Sequence, residues 1–99
     1  MSATLARDGA TLRINGTVNF ANADACRQEG LALLGQMPAD VVVDLGGLTA
    51  PGSVTVAVLL HWARSVAARQ GSLRLAQVPE KCRAILRVSG LAEALPENT

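Results

Sequence analysis

Few side chains in this chain are equipped for chemistry, and most of them gather in one stretch. Val41 to Ala63 reads VVVDLGGLTAPGSVTVAVLLHWA and contains Asp44, Ser53, Thr55 and His61. Ser53 stands where a small-residue loop (Gly46, Gly47, Pro51, Gly52) gives way to an almost unbroken apolar segment. A hydroxyl there has three uses. It caps the helix by accepting a backbone N–H, worth about 1 kcal/mol. It presents a polar contact to a partner. As a phosphosite it would add about −1.5 to −2 charge at a helix N-terminus, where the dipole tolerates it. Capping combined with contact is the favoured pair. Thr55 is placed to share the site or to sit on the helix surface. His61 has neither base nor nucleophile paired with it in sequence. Asp44 ends a strand and suits hydrogen bonding to loop amides. Gly46-Gly47 lacks the spacing of a phosphate-binding loop and reads as a tight turn.

The rest of the chain adds little chemistry. Cys26 and Cys82 match no metal or redox spacing and read as small buried hydrophobes. There is no Ser-His-Asp pattern, metal cluster or cofactor fingerprint. The expectation is a protein that is not an enzyme and carries no cofactor. Formal net charge is +1 and the only aromatics are Phe20 and Trp62, which argues against nucleic acid. The longest apolar run, Val54 to Leu60, is far short of the ~20 residues needed to cross a bilayer. The start, MSATLARDGA, has no signal-peptide core. A soluble cytoplasmic location follows as an expectation, without direct membrane insertion. Charged residues are 17% of the 99, below the ~25% of an average domain, which leans toward life in a complex.

The elements that must position these groups form one expected domain, residues 1–99. Ala3–Arg7 and Ala10–Ile14 alternate apolar with polar around Asp8-Gly9, a two-residue hairpin turn. Asn22 reads as the N-cap of a helix over Ala23–Leu34, which Gly30 weakens and Gly35 and Pro38 close. Val41–Leu45 is apolar on both faces, the pattern of a strand covered on both sides. Ser53–Gln70 is the longest helix, capped by Ser53 and stopped by Gly71. A strand around Leu73 and Leu75 follows, then a helix from Pro79 to about Ser89, ended by Gly90. Leu91–Leu95 suits one more helical turn, and Pro96–Thr99 a polar tail. The order β-β-α-β-α-β-α predicts an α/β fold with a mixed four-stranded sheet and helices packed against it, its crossover parallel and right-handed.

On a helical wheel, Ser53–Gln70 has two apolar sides. Val56, Leu59, Leu60, Ala63, Val66 and Ala67 face the sheet. Val54, Val58 and Trp62 fall nearly opposite, where a one-sided surface helix has no need of them. Either another helix of the same domain covers this stripe or a partner protein does, Trp being a frequent interface anchor. Arg64 and Arg69 flank it, as solvated charge or as contacts to acidic partner groups.

These residues resemble a STAS domain, the fold of anti-sigma-factor antagonists. There a strand ends in Asp-Leu, and a short loop leads to a hydroxyl residue opening an apolar helix. Asp44-Leu45, Ser53 and Val56–Leu60 occupy those places. Ile14-Asn15-Gly16-Thr17-Val18 with Ala21 and Ala25, and Leu86-Arg87-Val88-Ser89-Gly90-Leu91 near the end, extend the likeness over almost the whole chain. Within the family, Leu59-Leu60-His61 and Thr17–Ala21 are similar to the small STAS subunits of Mla-type phospholipid ABC transporters. The resemblance implies a non-enzymatic subunit that binds the transporter's ATPase, and through it the permease, on the cytoplasmic side of the inner membrane. The family's acidic residue before the hydroxyl is replaced here by Gly52, after Pro51. That replacement favours docking at Pro51, Gly52, Ser53, Val54, Thr55, Val58 and Trp62 over phosphorylation of Ser53. The alternatives are an anti-sigma-factor antagonist under kinase control and, more remotely, a small-ligand or lipid-binding STAS domain.

Overall fold

A computed structural model describes residues 2–98. Met1 and Thr99, the ends of the predicted domain and of the predicted tail, lie outside the described residues. Four strands, β1 (Ala3–Asp8), β2 (Thr11–Gly16), β3 (Asp40–Leu48) and β4 (Ser72–Ala76), alternate with three helices, α1 (Ala23–Leu34), α2 (Ser53–Ala68) and α3 (Glu80–Val88). The spatial order is β1-β2-β3-β4. β1 and β2 are antiparallel, while β3 runs parallel to both β2 and β4. The mixed sheet and the element order match the sequence reading.

Several local assignments differ. Asp8 pairs with Thr11, so the hairpin loop is Gly9-Ala10, not Asp8-Gly9, with the positive φ of +61° at Gly9. β3 is covered on one face only. Val41, Val43 and Leu45 are buried, while Val42 and Asp44 are half-exposed on the other face. The strand order never reverses, so crossovers of one hand put α1 and α2 on the same side and leave the opposite side open. Arg13, Asn15 and Arg74 occupy that open face. The core forms between β2, β3 and β4 and the three helices, with Leu12, Ile14, Val43, Leu45, Leu59, Trp62, Leu75 and Cys82 fully sealed from solvent.

α2 ends at Ala68 rather than Gln70. Gln70 takes the left-handed conformation (φ +64°), its N–H bonds Ala67 O at 2.9 Å, and the Gly71 N–H bonds Val66 O at 3.0 Å. This is a Schellman closure with glutamine, not Gly71, in the left-handed position. Gly71 is needed for proximity instead, since a Cβ there would run into the Ala39 carbonyl. Arg69 does not face solvent as a free charge: its guanidinium donates to Leu34 O at 2.6 Å and Pro38 O at 2.9 Å, tying down the end of α1. The expected turn at Leu91–Leu95 is present, with Leu95 N–H on Leu91 O. The predicted tail instead docks on β4. The Leu75 N–H bonds Pro96 O at 2.8 Å, and the Asn98 N–H returns to Leu75 O at 2.7 Å.

Candidate docking site

The approach to α2 is held from both sides. The Thr49 N–H bonds Gly16 O at 2.7 Å, and the Thr17 hydroxyl donates to Thr49 O. Ala50 then adopts φ +47°, a left-handed conformation that costs a non-glycine residue about 1–2 kcal/mol. Pro51 is buried, which removes it from the docking surface expected of it. Gly52, extended at φ −148°, is the N-cap residue, so Ser53 is the first helical residue and caps nothing. The capping interaction falls to Thr55: its fully buried hydroxyl oxygen accepts the Gly52 N–H at 3.3 Å. Thr55 is therefore part of the helix start and is sealed from any partner. Ser53 is exposed, and its hydroxyl makes no hydrogen bond among the described residues.

The Val54/Val58/Trp62 stripe divides. Trp62 is completely buried, its ring seated over Gly30 of α1 and its indole N–H donating to Arg27 O at 3.1 Å. Val58 is 3% exposed. The neighbouring helix of the same chain covers both, so neither is a surface anchor. Val54 stays half-exposed. With Ala57, Val58 and His61 it forms one wall of an open groove of about 340 Å³. Phe20, Ala23, Asp24 and Arg27 form the other wall.

Phe20, which in the sequence stands out only as one of two aromatics, is a surface residue of this site. It is 92% exposed, on a turn whose backbone is held by hydrogen bonds. The Asn19 carboxamide oxygen accepts the N–H groups of Ala21 (2.9 Å) and Asn22 (3.0 Å). Asn22 returns the bond, accepting the Asn19 N–H at 2.9 Å and donating to Thr17 O at 2.8 Å. The side chain of Asn22 thus makes no helix cap; the Asn19–Asn22 exchange replaces it. The available signal was the Asn-Phe-Ala-Asn pattern, in which paired amide side chains fix a turn around an apolar tip.

The other candidates are placed as follows. Asp44 Oδ1 accepts the Gly46 N–H at 2.8 Å, the loop role expected of it, and its other oxygen lies 3.8 Å from Arg13 Nε. His61 and Arg64 are exposed. Cys26 and Cys82 are buried free thiols, and burial pushes both pKa values up, which disfavours the reactive thiolate. Among the described residues no group of His, Cys, Asp and Glu is arranged to hold a metal, and no helix is long and apolar enough to cross a membrane.

This architecture is that of the STAS fold. An anti-sigma-factor antagonist from Mycobacterium paratuberculosis superposes with a TM-score of 0.74 at 18% identity, over 99% of this chain and 86% of that one. The Bacillus cell-fate determinant SpoIIAA in its phosphorylated form gives 0.70 at 19% identity, over 99% and 92%. One chain of the Acinetobacter MlaFEDB complex, in its ATP-bound Vtrans1 conformation, gives 0.77 at 29% identity, over 93% of this chain and 97% of that one. The family model described as Mlab, STAS domain matches residues 1–97, and the chain belongs to that family. No curated protein sequence matches it.

Proposed function

We propose that this chain is a non-enzymatic STAS subunit that binds and supports the MlaF-like ATPase of an ABC transporter. That transporter would maintain outer-membrane lipid asymmetry by moving phospholipid between the two membranes. The chain would then lie on the cytoplasmic side of the inner membrane, held there by its partner and, through it, by the permease. The observation that carries this reading is the start of α2: Thr55 does the capping, and Ser53 stands exposed with Gly52, not an acid, before it. A rigid, uncharged helix start suits a standing contact. The likeness to a chain of the MlaFEDB complex supports the same reading. The docking residues are Gly52, Ser53 and Val54, with Pro51 and Thr55 shaping the backbone beneath them.

A second reading, an anti-sigma-factor antagonist switched by phosphorylation, draws on the same exposed hydroxyl at the positive end of a helix dipole. Affinity capture of the tagged chain at native expression level separates the two. Recovery of an ABC ATPase with its permease supports the first reading. Recovery of a kinase-like anti-sigma factor overturns it.

A further inference from the structure

We propose that the groove between Phe20 and α2 receives an apolar side chain with an acidic residue beside it, presented by the ATPase subunit. This rests on the reading of the chain as that ATPase's STAS partner and adds where the binding energy resides and what the facing surface must look like. Phe20 is the most exposed large apolar side chain described, at 92%. Leaving it in water is unfavourable, and the four hydrogen bonds of the Asn19–Asn22 turn fix the backbone that carries it. With the backbone already ordered, binding has only the two side-chain torsions of an aromatic left to fix, which suits an interface anchor. The groove beside it is lined by the apolar side chains of Ala23, Val54, Ala57 and Val58, and its volume of about 340 Å³ accommodates a leucine- or phenylalanine-sized group. Its lining includes Val54, the residue that follows the exposed Ser53 at the start of α2.

The charge of the rim selects the flank of the incoming segment. α2 contains no Asp or Glu, and its first turn leaves the positive end of the helix dipole uncompensated. His61 lies at the rim and Arg64 one turn further along, both exposed. The one carboxylate lining the groove, Asp24, is already engaged by Arg27 and by Gln28 Nε2 at 3.1 Å. A carboxylate on the partner therefore meets donors and positive potential on the α2 side.

The test measures affinity between the full chain and the purified MlaF-like ATPase of the same organism, for the parent, Phe20→Ala, His61→Glu and Arg74→Glu. Arg74 lies on the open sheet face and serves as the control. Phe20→Ala and His61→Glu are each expected to weaken binding at least about tenfold, as loss of an anchor and introduction of like charge require. Arg74→Glu is expected to bind as the parent does. Thermal melts of all four should coincide, because the substituted side chains are exposed. Phe20→Ala binding within about twofold of the parent overturns the groove while leaving the ATPase reading intact. A parent that fails to bind the ATPase overturns both.

Discussion

Replacing Gly30 with alanine should strongly destabilise this protein, although helix propensity alone says the opposite. Gly30 lies inside α1, where alanine is favoured over glycine by about 1 kcal/mol. A Cβ at this position, however, falls closer than 3.0 Å to Cε2, Cζ2 and Nε1 of Trp62. The indole has nowhere to go: Trp62 is fully buried, and its N–H is committed to Arg27 O at 3.1 Å, one turn before Gly30 on the same helix. Relief requires α1 and α2 to separate or the ring to leave its rotamer. Overpacking of this kind costs about 1–3 kcal/mol, and a stranded buried N–H adds about 1–3 kcal/mol. Set against the propensity gain, the net loss is about 1–5 kcal/mol, and its central value of about 3 kcal/mol is a fall in Tm of roughly 12–24 °C for a chain of this size. Trp62 is the only tryptophan, so urea unfolding followed by its fluorescence reports on the contact itself. A Gly30→Ala variant as stable as the parent, or more stable by the propensity difference, would refute the seating of Trp62 on α1 and return the stripe to the surface.

Three further outcomes follow from other contacts. Arg69→Ala should lower stability by about 2–4 kcal/mol, because two carbonyls at the end of α1 lose charge-assisted bonds; amide exchange should quicken around Leu34–Pro38, and unchanged exchange there would contradict the assignment. Ser53→Asp should leave the fold intact or slightly firmer through the helix dipole yet abolish ATPase binding, which calorimetry and a thermal melt separate. The bidentate Arg83 guanidinium (2.8 and 2.9 Å) holds the Glu97 carboxyl below its ordinary pKa, and the same pairing raises that of Arg83. A carboxylate with a lowered folded-state pKa stabilises fully above its unfolded value, about 4.3, and loses that contribution as pH falls through the folded one. Protection of the Asn98 amide, bonded to Leu75 O, measured against its intrinsic exchange rate, should therefore fall as the pH drops below the unfolded carboxylate value of about 4.3, and Glu97→Gln should remove the dependence.

The sheet and helices were legible because their periodicities are strong. Alternation at Leu12/Ile14 and Leu73/Leu75 and the long apolar run of α2 fix the element order. The two apolar sides of α2 were equally visible, but not what covers the second side. The answer is a glycine: Gly30 carries no hydrophobic signal and reads only as a weakness in α1, although its missing side chain is what admits Trp62. The helix start was misread by one residue for a related reason. Gly52 has no side chain to announce a cap, so the capping role fell by default on Ser53, whereas Thr55 performs it from three residues inside. Phe20 escaped because exposure is a tertiary property, and a lone phenylalanine in a loop carries no period. Arg69, and the pairing of Pro96–Asn98 with β4, depend on partners far along the chain that no local pattern names.

The docking account is tested most directly by photo-cross-linking in the source organism, with a photoreactive residue placed at Ala57 in the groove or at Arg74 on the open sheet face. Cross-links from position 57 to the ABC ATPase, with none from position 74, are the result the account requires. Cross-links to the ATPase from position 74 alone, or from position 57 to a kinase-like anti-sigma factor, would contradict it.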